Sequence, residues 1–128
     1  LVVSNNLKTS SNAETKVVNS TYTKLKEIVI GGTGNIKVTW EASSYPGDRV
    51  YVRIYKNNVP YSDERYWSSS SYGSYGLFEL PLMDVFKNDK IQLYAMKPQS
   101  HGLGYVRNFR IYYDIIDIPT IVPDVVNL

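Results

Sequence analysis

A chain of 128 residues, 43% of them hydrophobic and 20% charged, suits one globular domain able to bury a core of its own. Its net charge of only +2, with both signs scattered along the chain, argues against a dedicated nucleic-acid binder, which needs a concentrated basic face. The lack of cysteine excludes disulfides, thiol chemistry and cysteine-based zinc sites, and the longest apolar runs, such as Ile28-Val29-Ile30, are far too short to span a bilayer.

Period-two alternation dominates, and no segment of ten or more residues carries a helical stripe. The stretch from Tyr22 to Ile30 predicts a strand that ends at Gly31-Gly32-Thr33-Gly34. That glycine run is a turn rather than a phosphate cradle, because a strand follows it and no Lys-Ser or Lys-Thr pair comes directly after the glycines. From Asn35 to Glu41 the pattern sets Ile36, Val38 and Trp40 on one face, and Tyr45-Pro46-Gly47-Asp48 then signals a turn. From Arg49 to Lys56, Val50, Val52 and Ile54 face inward, which leaves Tyr51, Arg53 and Tyr55 outward. Asn57-Asn58 tolerates positive φ and predicts a hairpin into a strand from Val59 to Tyr66.

Ser68 to Ser71 with Tyr72-Gly73-Ser74-Tyr75-Gly76 is the one low-complexity stretch. It is either a loop or a strand whose small residues let another backbone come close. A short strand from Leu77 to Leu80 stops before Pro81, and Lys87-Asn88-Asp89 turns the chain into a strand from Lys90 to Met96, with Ile91, Leu93 and Ala95 inward. Lys97 to Gly104 is a loop, and Tyr105 to Tyr113 the last long strand. Seven to nine short strands at intervals of about ten residues predict an all-β domain, an antiparallel β-sandwich of jelly-roll or Greek-key type. It is expected over residues 1–114, with an extended tail over 115–128 that is either mobile or pinned at an edge. The start at Leu1, with no signal peptide, reads as a piece of something longer.

Catalytic chemistry finds little footing. The single His101 lies in a Gly-flanked loop with no third member of a triad in view, and one histidine without cysteine cannot build a zinc site. Glu41, Glu64, Glu79 and several aspartates are the acids from which a glycosidase pair could come, and none sits in a motif. No D-x-D-x-D-G calcium loop occurs. The expectation is a non-enzyme with neither cofactor nor metal site. On the last strand, strict alternation would turn either Arg107 or Asn108 towards the buried side, as a satisfied group tying strand to loop or as a polar group in an interface or ligand groove.

Three ordered segments, Val52-Arg53-Ile54-Tyr55-Lys56-Asn57-Asn58-Val59, Lys87 to Ala95, and Tyr105-Val106-Arg107-Asn108-Phe109-Arg110-Ile111, resemble a pattern of small β-sandwich domains in phage tail and tail-fibre proteins. Ser11-Asn12-Ala13-Glu14 and Tyr22 to Ile28 fit the first strands of that pattern, and the likeness spans roughly residues 10 to 113. Asn58 and Asn88 stand where the pattern has turn glycines, and both tolerate the left-handed conformation. A looser similarity extends to the trimeric jelly-roll heads of complement and tumour-necrosis-factor proteins. The resemblance implies a virion-surface or extracellular domain, often a homotrimer, used for host attachment or fibre assembly. A carbohydrate-binding module of a secreted or surface protein is the alternative.

Twelve tyrosines against three phenylalanines and two tryptophans suit binding surfaces as well as strand faces. Tyr51, Arg53 and Tyr55 are therefore the candidate self-association face. Tyr61, Tyr66, Trp67, Tyr72 and Tyr75, with Tyr45, are the candidate contacts to a cell-surface glycan or protein receptor.

Overall fold

The computed structural model describes residues 7–71, 73–98, 103–113 and 120–123. His101 and Tyr72 lie outside them. Eleven strands are formed among the described residues: β1 (Leu7–Ser11), β2 (Thr15–Val17), β3 (Thr23–Val29), β4 (Gly34–Ser44), β5 (Val50–Lys56), β6 (Val59–Pro60), β7 (Arg65–Trp67), β8 (Gly76–Val85), β9 (Lys90–Met96), β10 (Gly104–Tyr112) and β11 (Thr120–Val122).

They build two antiparallel sheets packed face to face. The first runs β1-β10-β4-β8, with β2 continuing β1 along the same side of β10. The second runs β11-β3-β9-β5, with β7 and β6 following one another along the far side of β5. Pairing is nested: β1 and β2 with β10, β3 with β9, β4 with β8, β5 with β6 and β7. That is the strand order of a jelly roll, a long antiparallel hairpin rolled into a sandwich.

The inward sets follow the alternation. Ile36, Val38, Trp40, Val50, Val52, Ile54, Ile91, Leu93 and Ala95 are all buried in one core. At the turns, Asn57, Asn58 and Asn88 take φ of 53°, 69° and 73°, the left-handed values for which asparagine is suited.

Two strands depart from the expected spans. The predicted Val59–Tyr66 strand is broken into β6 and β7. Tyr61 and Ser62 both donate their amides to the Ile54 carbonyl, while the Ser62 hydroxyl accepts the Ile54 amide at 2.9 Å, so the chain turns away from β5 before rejoining it. Conversely, β8 runs on through Pro81. It lies at the sheet edge, and Pro81 and Leu82 together stand opposite the single residue Lys37, a bulge where the missing proline N–H costs no ladder bond. The tail contributes β11, which pairs with β3 through Thr120, Ile121 and Val122.

A third irregularity resolves the problem posed by Arg107 and Asn108. Arg107 pairs with Glu41 and Arg110 with Thr39, so Asn108 and Phe109 share the single partner Trp40. Asn108 sits at φ 54° and absorbs the extra residue as a bulge. Val106, Phe109 and Ile111 are consequently all buried, and neither Arg107 nor Asn108 has to enter the core. The expectation that one of them points inward is corrected by this inserted residue.

An aromatic cleft as candidate functional site

Outside the core, the ends of β4 and β10 form the floor of a cleft of about 390 Å³, a volume within the range of small-ligand sites. Ser43 and Tyr105, paired across the two strands, and Arg107, two residues further along β10, lie on its floor. Tyr45 from the β4–β5 turn, Tyr75 before β8, and Glu14 between β1 and β2 rise around it.

Each wall is fastened by a local cause. Ser44 and Ser69 exchange hydroxyl-to-amide bonds, the Ser44 amide donating to Ser69 Oγ at 3.0 Å and the Ser69 amide to Ser44 Oγ at 2.9 Å. Ser69 Oγ also donates to the Ser74 carbonyl at 2.8 Å. The serine-rich stretch is therefore a loop whose small side chains let its backbone dock on the end of β4. The amide of Tyr45 donates to the Leu103 carbonyl at 2.7 Å, which closes another side. Glu14 follows a residue held from inside the sandwich: Lys26, only 1% exposed, donates from Nζ to the Ala13 carbonyl at 2.7 Å and contacts Ser11 Oγ at 3.3 Å. A bulge at Leu25 in β3 brings Lys26 to this position.

The polar groups of the cleft are ordered before any ligand arrives. Arg107 places Nε and Nη2 each 2.9 Å from Glu41 Oε1, and Asn108 donates from Nδ2 to Glu41 Oε2 at 2.9 Å. The Tyr75 ring lies 3.5 Å from the Arg107 guanidinium carbon, a cation–π contact, and its hydroxyl donates to Glu14 Oε2. Burial first, then the Glu14 carboxylate, hold the Tyr75 phenol well above its ordinary range.

Burial pushes the Glu41 carboxyl up, but the hydrogen bonds from Asn108 and Arg107, with the charges of Arg107 and Arg110, outweigh it and leave Glu41 below the ordinary carboxylate range. A lowered folded value adds stability above the unfolded value of about 4.3 and loses it as pH falls through the folded one. Wild type should therefore be more stable than Glu41→Gln by about 1 kcal/mol at neutral pH. Melting curves should show that gap closing as the pH drops below about 4.

Of the aromatic residues singled out in the sequence, Tyr75 and Tyr45 line this cleft. Tyr61 and Tyr66 belong to the other sheet, 46% and 51% exposed, with Lys56 over the Tyr61 ring and Arg49 over the Tyr66 ring at 4.5 Å. Trp67 is instead drawn into the seam between the sheets, edge-on to Phe78 with centroids 6.2 Å apart.

Tyr51, Arg53 and Tyr55 do line the outer face of β5, yet neighbours of the same chain cover them in part. Tyr51 meets Tyr66, Arg53 Nε donates to the Ser62 carbonyl at 2.8 Å, and Tyr55 stacks on Tyr94 at 3.6 Å. Glu14, Ser43, Leu103 and Tyr105 were not singled out as binding residues. The spacing of Tyr105 and Arg107, two apart beside the inward Val106, was the available signal for an outward aromatic–guanidinium pair.

Among the described residues no cluster of three His, Cys, Asp or Glu side chains is placed to hold a metal ion. No helix there is long and apolar enough to cross a membrane. No family model, curated protein or solved structure compared with the chain matches it.

Proposed function

We propose that this jelly roll is a non-catalytic recognition domain, of the kind carried by virion tail fibres, that attaches to a cell surface through the cleft beside Tyr75, Tyr105 and Arg107. The observation that carries the reading is the preorganised cleft. Tyr105 and Arg107 are held on the end of β10, Tyr75 and Glu14 are fastened beside them by the cation–π contact and the hydroxyl–carboxylate bond, and binding to groups already fixed loses less side-chain freedom. The three candidate glutamates also support it. A glycosidase needs a carboxyl raised above its usual value, whereas Glu41 is held below it. Glu64 takes the Tyr22 hydroxyl at 2.6 Å, and Glu79 lies 3.7 Å from Lys37.

The test is fluorescently labelled domain applied to a panel of bacterial and eukaryotic cells. Saturable decoration of one cell type, reduced at least tenfold by Tyr105→Ala with the melting temperature unchanged, is the expected result. Decoration of no cell type, or decoration indifferent to that substitution, overturns the assignment.

A further inference from the structure

The charge arrangement in the cleft narrows the ligand class. We infer that the cleft takes a neutral pyranose, the end of an uncharged surface glycan, and rejects acidic sugars; this rests on the attachment reading above. The Arg107 guanidinium is already neutralised, because Nε and Nη2 are both engaged by Glu41 and the Tyr75 ring covers one face. Arg107 lines the cleft, and among the described residues its side chain bonds only Glu41 and stacks only on Tyr75, which leaves the Nη1 donors uncommitted. Glu14 is exposed and commits only Oε2, to Tyr75, so Oε1 remains an acceptor carrying negative charge.

A carboxylate or sulfate entering here would meet that charge with no unneutralised cation among the lining residues to offset it. A neutral sugar has what the geometry asks for. One hydroxyl donates to Glu14 Oε1, another accepts from Arg107 Nη1, and the apolar C–H face of the ring lies on Tyr105. The donor and the acceptor are spaced by a single side chain, since Tyr75 touches both, which suits hydroxyls on one sugar ring. Tyr105 supplies the stacking surface: it lines the cleft, is half-buried, and has no ring partner among the described residues.

Heteronuclear NMR titration of the domain with methyl glycosides of glucose, galactose, mannose and N-acetylglucosamine, beside glucuronic acid and N-acetylneuraminic acid, separates the outcomes. The expected result is saturable shifts at Tyr105, Arg107 and Glu14 with at least one neutral glycoside and none with the acids. Tyr105→Ala and Glu14→Ala should each weaken that binding at least tenfold, and Tyr75→Phe less. Because a truncated tyrosine could disturb the strand, Tyr105→Phe is the second variant, expected to keep the stacking and most of the affinity. Tighter binding of an acidic sugar overturns the neutral-ligand inference while leaving attachment standing. So does cell decoration that persists when no monosaccharide binds. Failure of cell decoration overturns the attachment reading itself, and the inference with it.

Discussion

Trp40→Ala is expected to destabilise the domain by about 3–5 kcal/mol, measured by urea or thermal unfolding. Trp40 is wholly buried and is the largest side chain in the core, contributed by the long central strand β4. It stacks on Phe78 with centroids 5.7 Å apart and rings 8° from parallel, and two residues of the β10 bulge stand opposite it. Its removal leaves a cavity bounded by two rigid sheets that cannot collapse far. Trp40→Phe should cost much less. The indole Nε1 has no hydrogen-bond partner among the described residues, so deleting that buried N–H offsets part of the lost contact area. A loss below about 1 kcal/mol for the alanine variant would show that the core is not organised around this ring.

Gly76→Val carries the second-largest expected effect, about 1–3 kcal/mol of destabilisation. A Cβ at Gly76 would stand 2.3 Å from Trp67 Cε3 and 2.4 Å from Cδ2, well inside van der Waals contact. The obstacle is a rigid ring already fitted against Phe78, so it cannot bend aside as a lysine tip could. Trp67 belongs to β7 in one sheet and Gly76 to β8 in the other, and Arg65 Nη1 also crosses to the Glu79 carbonyl at 2.7 Å. Displacing the indole therefore loosens the seam that shields this edge of the sandwich. A lower unfolding midpoint, with a changed tryptophan emission in the folded state, is the expected result. An unchanged midpoint would mean that Trp67 is not wedged against that backbone.

Much of the fold was legible because one rule decides it. Where a strand stays in register, a side chain's face follows from its parity, and Ile36, Val38, Trp40, Val50, Val52, Ile54, Ile91 and Leu93 all obey. The rule fails wherever a residue is inserted. Leu25, Asn108 and the Pro81-Leu82 pair each add one residue to a strand, and no side-chain property at Leu25 announces it. Asn108 did carry a signal, its tolerance of positive φ, although asparagine occurs in strands without bulging.

The cleft was less legible than the core. Glu14, Ser43, Tyr75 and Tyr105 come from four separate parts of the chain, and only the nested pairing unites them. The tyrosine count pointed towards a binding surface, but it could not divide ligand-facing rings from Trp67, which packs inward, or from Tyr55, which is satisfied by Tyr94. The jelly-roll order was legible only as one of two arrangements, since strand lengths and turns do not encode which distant strands meet.

That nested order has a consequence for how the chain acquires its shape. Leu7 pairs with Tyr112, and Thr23 with Ala95, so the outer rungs join segments from opposite ends of the rolled hairpin. Loop closure must be completed over most of the chain before those rungs gain any stabilisation, which favours folding in milliseconds to seconds rather than microseconds. During synthesis β4 emerges long before β10 and waits with the backbone N–H and C=O groups of one edge unpaired. The nascent chain is therefore most prone to sticky encounters until its last long strand has been made.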